Sequence, residues 1–134
     1  MIKIDNDKVL LLHQILIEET GGEPNIRNIK LLDSSVQQVY QTFDGEELYK
    51  TKEEKAARLG YGLISNHAFV DGNKRIGMFV MLTFLELCGI KTTFTNDEVI
   101  KVGLKVASSE MTYEELLNEV LNHKASTARR YQEL

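Results

Sequence analysis

One stretch limits the possible folds of this chain more than any other. Residues 76–90 read IGMFVMLTFLELCGI, apolar at nearly every position, with Glu86 the one charge. A bilayer span needs roughly 20 such residues, so this run is too short to cross a membrane and reads as a buried helix. A helix that is apolar on all sides must be enclosed by other elements, which predicts a bundle packed around it. Directly before it stands HAFVDGNKR, residues 67–75, the densest polar cluster in the chain. A buried post thus carries a histidine, an acid, a Gly-Asn pair and two cations at its N-terminal mouth.

The flanking pattern is also helical. Asp5 or Asn6 can cap a first helix with Val9, Leu12, Ile15 and Leu16 on one face. Gly21-Gly22 suits a chain reversal, and GGEPNIRN, with the single proline Pro24, reads as loop. A second helix is predicted over Ile29–Tyr40, through Leu31, Leu32, Val36 and Val39. In QTFDGEELYKT the Asp44-Gly45 pair signals a hairpin or small flap. A third helix is predicted over Lys52–Asn66, with Ala56, Leu59, Gly62 and Leu63 inward, and then the buried one over Asn73–Cys88, closed by Gly89. KTTFT, residues 91–95, suits a short extended piece. Asn96 or Asp97 can cap a helix from Glu98 to Ser108, and Thr112 with Glu115 forms a capping box for a last one, Tyr113–His123. Residues 124–134 read as a frayed tail. The expected fold class is all-α: a single-domain helical bundle around one buried central helix, its core running from about residue 5 to residue 123, with a small flap or hairpin before the polar motif.

Charge and cysteine usage exclude other classes. The net charge is −4, from 16 basic and 20 acidic residues, which is not the basic surplus of a general nucleic-acid binder. No direct nucleic-acid partner and no membrane partner are expected. Cys88 is the one cysteine, so no intramolecular disulfide can form; within the apolar run it reads as a small buried thiol. MIKIDNDKVLLL carries charges where a secretory signal needs an unbroken apolar core. A soluble protein in a reducing cytoplasm is the expectation. A chain of 134 residues can bury roughly 68% of its unfolded surface, so it needs neither metal nor crosslink to hold its fold.

The cluster makes chemical sense at a helix start. The first turn of a helix leaves N–H groups without partners and carries partial positive charge. Gly72 lets the backbone approach a ligand closely, and Gly72-Asn73 suits a turn whose amides converge on an anion. Lys74 and Arg75 oppose the helix dipole, typically by some 0.3–1 kcal/mol each, a misfit that a bound polyphosphate relieves. Asp71 is the one acid among these cations, and a carboxylate beside bound phosphates is the usual holder of Mg²⁺. His67 can exchange a proton near neutral pH, and a general base of this kind contributes typically 10²–10⁴ in rate. Phe69 points back to the core and fixes the loop. Singly, each residue also has a plain structural use: His67 as a helix C-terminal cation, Asp71-Gly72 as a turn, Asn73 as a helix cap, Lys74-Arg75 as a solvated pair. Their order and spacing favour the chemical reading.

The nine residues HAFVDGNKR resemble the signature of the Fic/Doc superfamily, H-x-F-x-[D/E/N]-[G/A]-N-[G/K]-R, matched by His67, Phe69, Asp71, Gly72, Asn73 and Arg75. Lys74 stands where the AMP-transferring Fic branch has glycine and the Doc branch has lysine. The Fic branch also has a second arginine three residues after the first; Met78 is found here. Both departures resemble the Doc, or death-on-curing, branch of toxin–antitoxin toxins. Gly21-Gly22, the flap and the two helices after the motif fit it as well, over about residues 5–123. The resemblance implies a bacterial toxin, a protein kinase that uses ATP and Mg²⁺ to phosphorylate a protein hydroxyl. The implied target is translation elongation factor Tu, and the implied outcome is arrest of translation. It also implies a cognate, Phd-like antitoxin whose C-terminal segment folds into a surface groove. By matching positions, His67 is implied as the base and Asp71 as the holder of Mg²⁺ and orienter of the nucleophile. Gly72 and Asn73 are implied as the anion nest, Lys74 and Arg75 as the neutralisers of transferring phosphate, and the hairpin as the guide for the target peptide.

Two alternatives stay open. Fic-type AMP transfer would keep His67 and Asp71, with Lys74 as the discriminating residue, since lysine crowds the place where glycine admits phosphate. A catalytically silent binding module would keep only the groove. Fic proteins often carry an inhibitory helix, [S/T]-x-x-x-E-[G/N]; residues 42–46, TFDGE, fit its first five positions, but Glu47 follows and the Asp-Gly centre reads as a turn. The match is taken as chance, and inhibition is expected from a second chain. Val99, Ile100, Val102, Leu104, Leu116, Leu117, Val120 and Leu121, on the last two helices, are apolar enough to leave a groove for it. His13 and His123 have no role in this reading.

Overall fold

The computed structural model of the chain describes residues 3–125. Six α-helices follow in order: α1 Asn6–Thr20, α2 Ile29–Gln37, α3 Lys52–Asn66, α4 Asn73–Leu87, α5 Asn96–Ala107 and α6 Tyr113–Asn122. One turn of 3₁₀ helix, Gln38–Tyr40, extends α2, so the helix predicted to Tyr40 tightens over its last turn. The only sheet among the described residues is the flap, β1 Thr42–Phe43 against β2 Glu46–Glu47. Asp44 and Gly45 both have positive φ, 53° and 81°, as the tight hairpin turn demands. The fold is all-α apart from this hairpin.

Five helices start with a side-chain cap. Asp5 accepts from the Lys8 N–H, Asn28 from Lys30 and Leu31, and Thr51, Thr95 and Thr112 each form a capping box with the Glu three residues on. The cap of α5 is therefore Thr95, not Asn96 or Asp97: a hydroxyl paired with Glu98 satisfies two end groups where either alternative satisfies one. The exception among the six is α4, which begins at Gly72 with no side-chain cap.

The bundle is built on a pair of helices. α3 and α4 make the most extensive contact; α1 and α5 pack on α4, and α2 and α6 on α3. The pair is close because glycines line the crossing. A Cβ on Gly77 would stand 2.4 Å from Ile64 Cγ1 and 2.9 Å from the Gly60 carbonyl oxygen. Ile76, Met78, Val80, Met81, Phe84 and Leu85 are buried, as the apolar run predicts. On α1 the inward stripe is Val9, His13 and Ile17; Ile15, expected inside, is 37% exposed. Cys88, read from the sequence as a buried thiol, is half-buried and packs on the core from the C-cap of α4, where the helix has ended. Thr92 pairs with Lys124, and the Ala125 N–H donates to the Lys91 carbonyl, so 124–125 are tied down where a frayed tail was expected. Residues 126–134 of that tail lie outside the described residues. No helix among the described residues is long and apolar enough to cross a membrane.

Candidate active site

The motif spans the joint between α3 and α4. His67 ends α3 in the left-handed region, φ 52° and ψ 51°, which turns the chain sharply and leaves the imidazole exposed. Such a conformation is uncommon for a residue with a Cβ, though histidine is among those enriched there. Its Nδ1 lies 3.1 Å from the Ser65 carbonyl oxygen. A carbonyl can only accept, so Nδ1 carries the hydrogen in the neutral ring, and Nε2 is left with a lone pair toward solvent. Arg27 closes the end of α3, with its Nε donating to the His67 carbonyl at 2.7 Å and its Nη2 to that of Asn66 at 3.3 Å.

Residues 68–70 are held from both sides. The loop between α1 and α2 runs alongside them as an extended partner: Ile26 bridges Phe69, the Arg27 N–H donates to the Ala68 carbonyl, and the Val70 N–H donates to that of Asn25. Phe69 is 1% exposed, in the core as predicted. The Asn73 side chain clamps it, with Oδ1 accepting from the Phe69 N–H at 3.0 Å and Nδ2 donating to the Phe69 carbonyl at 2.9 Å. The Asn73 side chain is thus turned inward and spent on the loop; what it leaves outward for an anion is backbone.

Asp71 and Gly72 form the lip. Gly72 has φ 80°, a left-handed turn that directs the chain into α4. Its N–H donates to Asp71 Oδ1 at 2.8 Å, and the Glu23 N–H donates to Oδ2 at 3.4 Å. Gly22 is needed for that approach, since a Cβ there would stand 2.5 Å from Asp71 Oδ2. Arg75 donates to the Thr20 hydroxyl, and its Nη2 lies 3.9 Å from Asp71 Oδ1. Lys74 is exposed and forms no ion pair with any described residue. Beside these two cations a slot of about 270 Å³ opens between α4 and α5, walled by Met78, Val99, Ile100 and Leu104. Of the apolar side chains on the last two helices that could line a groove, Val99, Ile100 and Leu104 face this slot, and Leu121 is 45% exposed on α6. Val102, Leu116 and Val120 are consumed by the core, while Ile100 and Leu104 are 60% and 50% exposed.

His67, Asp71, Gly72, Lys74 and Arg75 therefore gather about one uncapped helix start. Sequence reasoning missed three groups that support them: His13, Thr20 and the Gly22–Glu23 backbone. The signal for His13 was present as Val9, His13 and Ile17, a stripe at intervals of four; the others touch the motif only through the fold.

The joint of α3 and α4 thus carries an imidazole, one carboxylate and two cations beside a helix start that has no side-chain cap. Residues 3–85 match the Fic/DOC family. The Toxin Doc of Mycolicibacterium smegmatis (strain ATCC 700084 / mc(2)155) is 31% identical over 125 residues, covering 92% of this chain and 94% of that protein. The chain belongs to the Fic/Doc family.

Proposed function

We propose that the protein is the toxin of a bacterial toxin–antitoxin pair, a Doc-type protein kinase that transfers phosphate from Mg-ATP to a hydroxyl of translation elongation factor Tu. One observation carries this reading: α4, alone of the six helices, starts without a side-chain cap, and its first turn holds Lys74 and Arg75 where the helix dipole disfavours cations. Both features cost stability in the empty protein, and both are offset by a bound polyphosphate. The Doc-type lysine at position 74 and the likeness to a protein named Toxin Doc favour phosphate transfer over AMP transfer.

The residues suit the parts of this chemistry. Asp71 is half-exposed, and both its oxygens retain lone pairs beyond the backbone N–H bonds they accept. No group of three or more His, Cys, Asp or Glu gathers among the described residues, so Mg²⁺ would rest on one carboxylate, the phosphates and water. Mg²⁺, when bound, supplies neutralisation of developing phosphate charge. His67, with Nε2 free, takes the proton of the attacking hydroxyl. Lys74 and Arg75 counter the charge on the transferred group, and the uncapped amides of α4 cradle it. The neighbouring slot is sized for part of a nucleotide. The cognate Phd-like antitoxin is the proposed partner for the exposed apolar side chains of α5 and α6, Ile100, Leu104 and Leu121.

Thermal unfolding with and without millimolar ATP and Mg²⁺ tests the site. A ligand at 100 times its Kd stabilises by about 2.7 kcal/mol, so Tm rises in the wild type and rises less in Lys74→Ala. No rise in either would contradict the nucleotide site.

A further inference from the structure

His13 lies in the first helix, far from the motif in sequence and 2% exposed. Its ring stacks on Phe69 with centroids 3.7 Å apart and planes 11° from parallel. Its Nε2 stands 3.0 Å from the carbonyl oxygen of Asp71, 58 positions along the chain, and this is its one hydrogen bond among the described residues. Packing alone would be met there by leucine or phenylalanine. The one polar contact the ring makes goes to the loop that carries the site.

We infer that His13 is a positioning residue that sets the orientation of the Asp71–Gly72 peptide, and through it the Asp71 carboxylate and the lip of the anion site. A carbonyl oxygen only accepts, so the neutral His13 ring must carry its hydrogen on Nε2. The peptide it holds is planar and trans, so the Asp71 C=O and the Gly72 N–H point in opposite directions. Fixing the carbonyl toward α1 fixes the N–H away from it. There the N–H meets Asp71 Oδ1 at 2.8 Å and holds the carboxylate beside Glu23 and Arg75. Gly72 visits positive and negative φ with equal ease, so its own backbone does not resist a flip of this peptide. His13 supplies the resistance. A flip would turn the Gly72 N–H inward, release the Asp71 carboxylate and place a carbonyl oxygen where an anion is to bind.

The test compares three full-length variants. His13→Phe keeps a flat ring on Phe69 and loses the donor. His13→Gln keeps a donor and loses the stack. Val9→Ala, equally buried on the same helix, loosens the core without touching the loop. By NMR, wild-type His13 is expected as the Nε2–H tautomer. The Asp71 and Gly72 amide signals are expected to shift and broaden in His13→Phe but not in Val9→Ala. The kinetic arm rests on the proposed kinase reaction, with elongation factor Tu, ATP and Mg²⁺ as reagents. In it kcat falls by about 10- to 100-fold in His13→Phe, because misplacing a reacting group by about 1 Å costs on that order, and KM for ATP rises, because the released Asp71 carboxylate and the turned carbonyl both disfavour the bound phosphates. His13→Gln recovers part of the loss, and Val9→Ala leaves kcat unchanged. An Nδ1–H tautomer, unmoved Asp71 and Gly72 signals in His13→Phe, or a kcat in that variant equal to that of Val9→Ala would overturn the inference. If the wild type transfers nothing to elongation factor Tu, the kinase reading fails, and the two NMR results decide the role of His13 by themselves.

Discussion

Asn73 shows how a residue can carry the right motif position for a reason other than the one its type suggests. The pattern N-K-R marks it as part of an anion nest, yet its side chain bonds both backbone groups of Phe69 and shapes the loop from within. Asn73→Ala leaves those groups unpaired in a half-buried place and is expected to cost about 1–3 kcal/mol in urea unfolding. Gly22 acts at a distance in the same way. Its φ of 123° and the 2.5 Å approach of a Cβ to Asp71 Oδ2 leave no room for a side chain. Gly22→Ala is therefore expected to lower stability by about 1–3 kcal/mol and to weaken Mg²⁺-dependent ATP binding by calorimetry; unchanged binding would separate Asp71 from the metal. His67→Ala is expected to abolish transfer and to keep ATP binding, since the ring faces solvent and supports no neighbour beyond Ser65. The motif residues were legible because they are contiguous. His13, Thr20 and Gly22 were not, because a histidine or a glycine in sequence does not say which loop it will face once the chain has folded.

At the scale of elements, the apolar run gave the buried α4, and three Thr–Glu pairs start helices as capping boxes, of which only the last was read from the sequence. What periodicity could not supply was the closeness of α3 and α4, which depends on two glycines meeting across the crossing. Gly77→Ala gains about 1 kcal/mol of helix propensity but drives a methyl into Ile64 and the Gly60 carbonyl. A net loss of about 2 kcal/mol in thermal or urea unfolding is expected, overpacking being the larger effect. A second joint ties α6 to α5. His123 Nε2 lies 2.7 Å from Glu98 Oε2, its ring stacks on Phe94, and its Nδ1 meets the Glu119 carbonyl at 2.7 Å. Glu98, and after it the Glu119 carbonyl, raise the His123 pKa above its usual 6.5. The Thr95 N–H, and after it His123, hold the Glu98 carboxyl at about 2, below its usual 4.5. The His123 contribution is complete below about pH 6.5 and fades as pH rises through its raised folded value; that of Glu98 is complete above about pH 4.5 and fades toward pH 2. The pair is thus strongest between about pH 4.5 and 6.5. Glu98→Gln keeps the cap to Thr95 and removes the charge, so its loss of Tm is expected to be larger near pH 5.5 than near pH 8.5. Equal losses would show that the ion pair adds nothing.

At the scale of the whole molecule, six helices serve one arrangement. α3 and α4 form a closely packed pair, α1 and the loop after it grip the joint between them, and α5 leaves a slot beside the N-terminal end of α4. The bundle itself was legible, since a helix apolar on all sides admits few other solutions. The extended pairing of residues 25–27 with 68–70 was not, since GGEPNIRN carries only turn signals and its partner lies more than forty residues away. The kinase reading unites these parts: an anion-receptive helix start that costs stability when empty, a base with a free nitrogen and one carboxylate for Mg²⁺. The direct measurement is the intact mass of elongation factor Tu after incubation with this protein, ATP and Mg²⁺, with His67→Ala as control. A gain of one phosphate, lost in the control, is the predicted result. A gain of AMP instead, or a gain that His67→Ala leaves undiminished, would contradict the account.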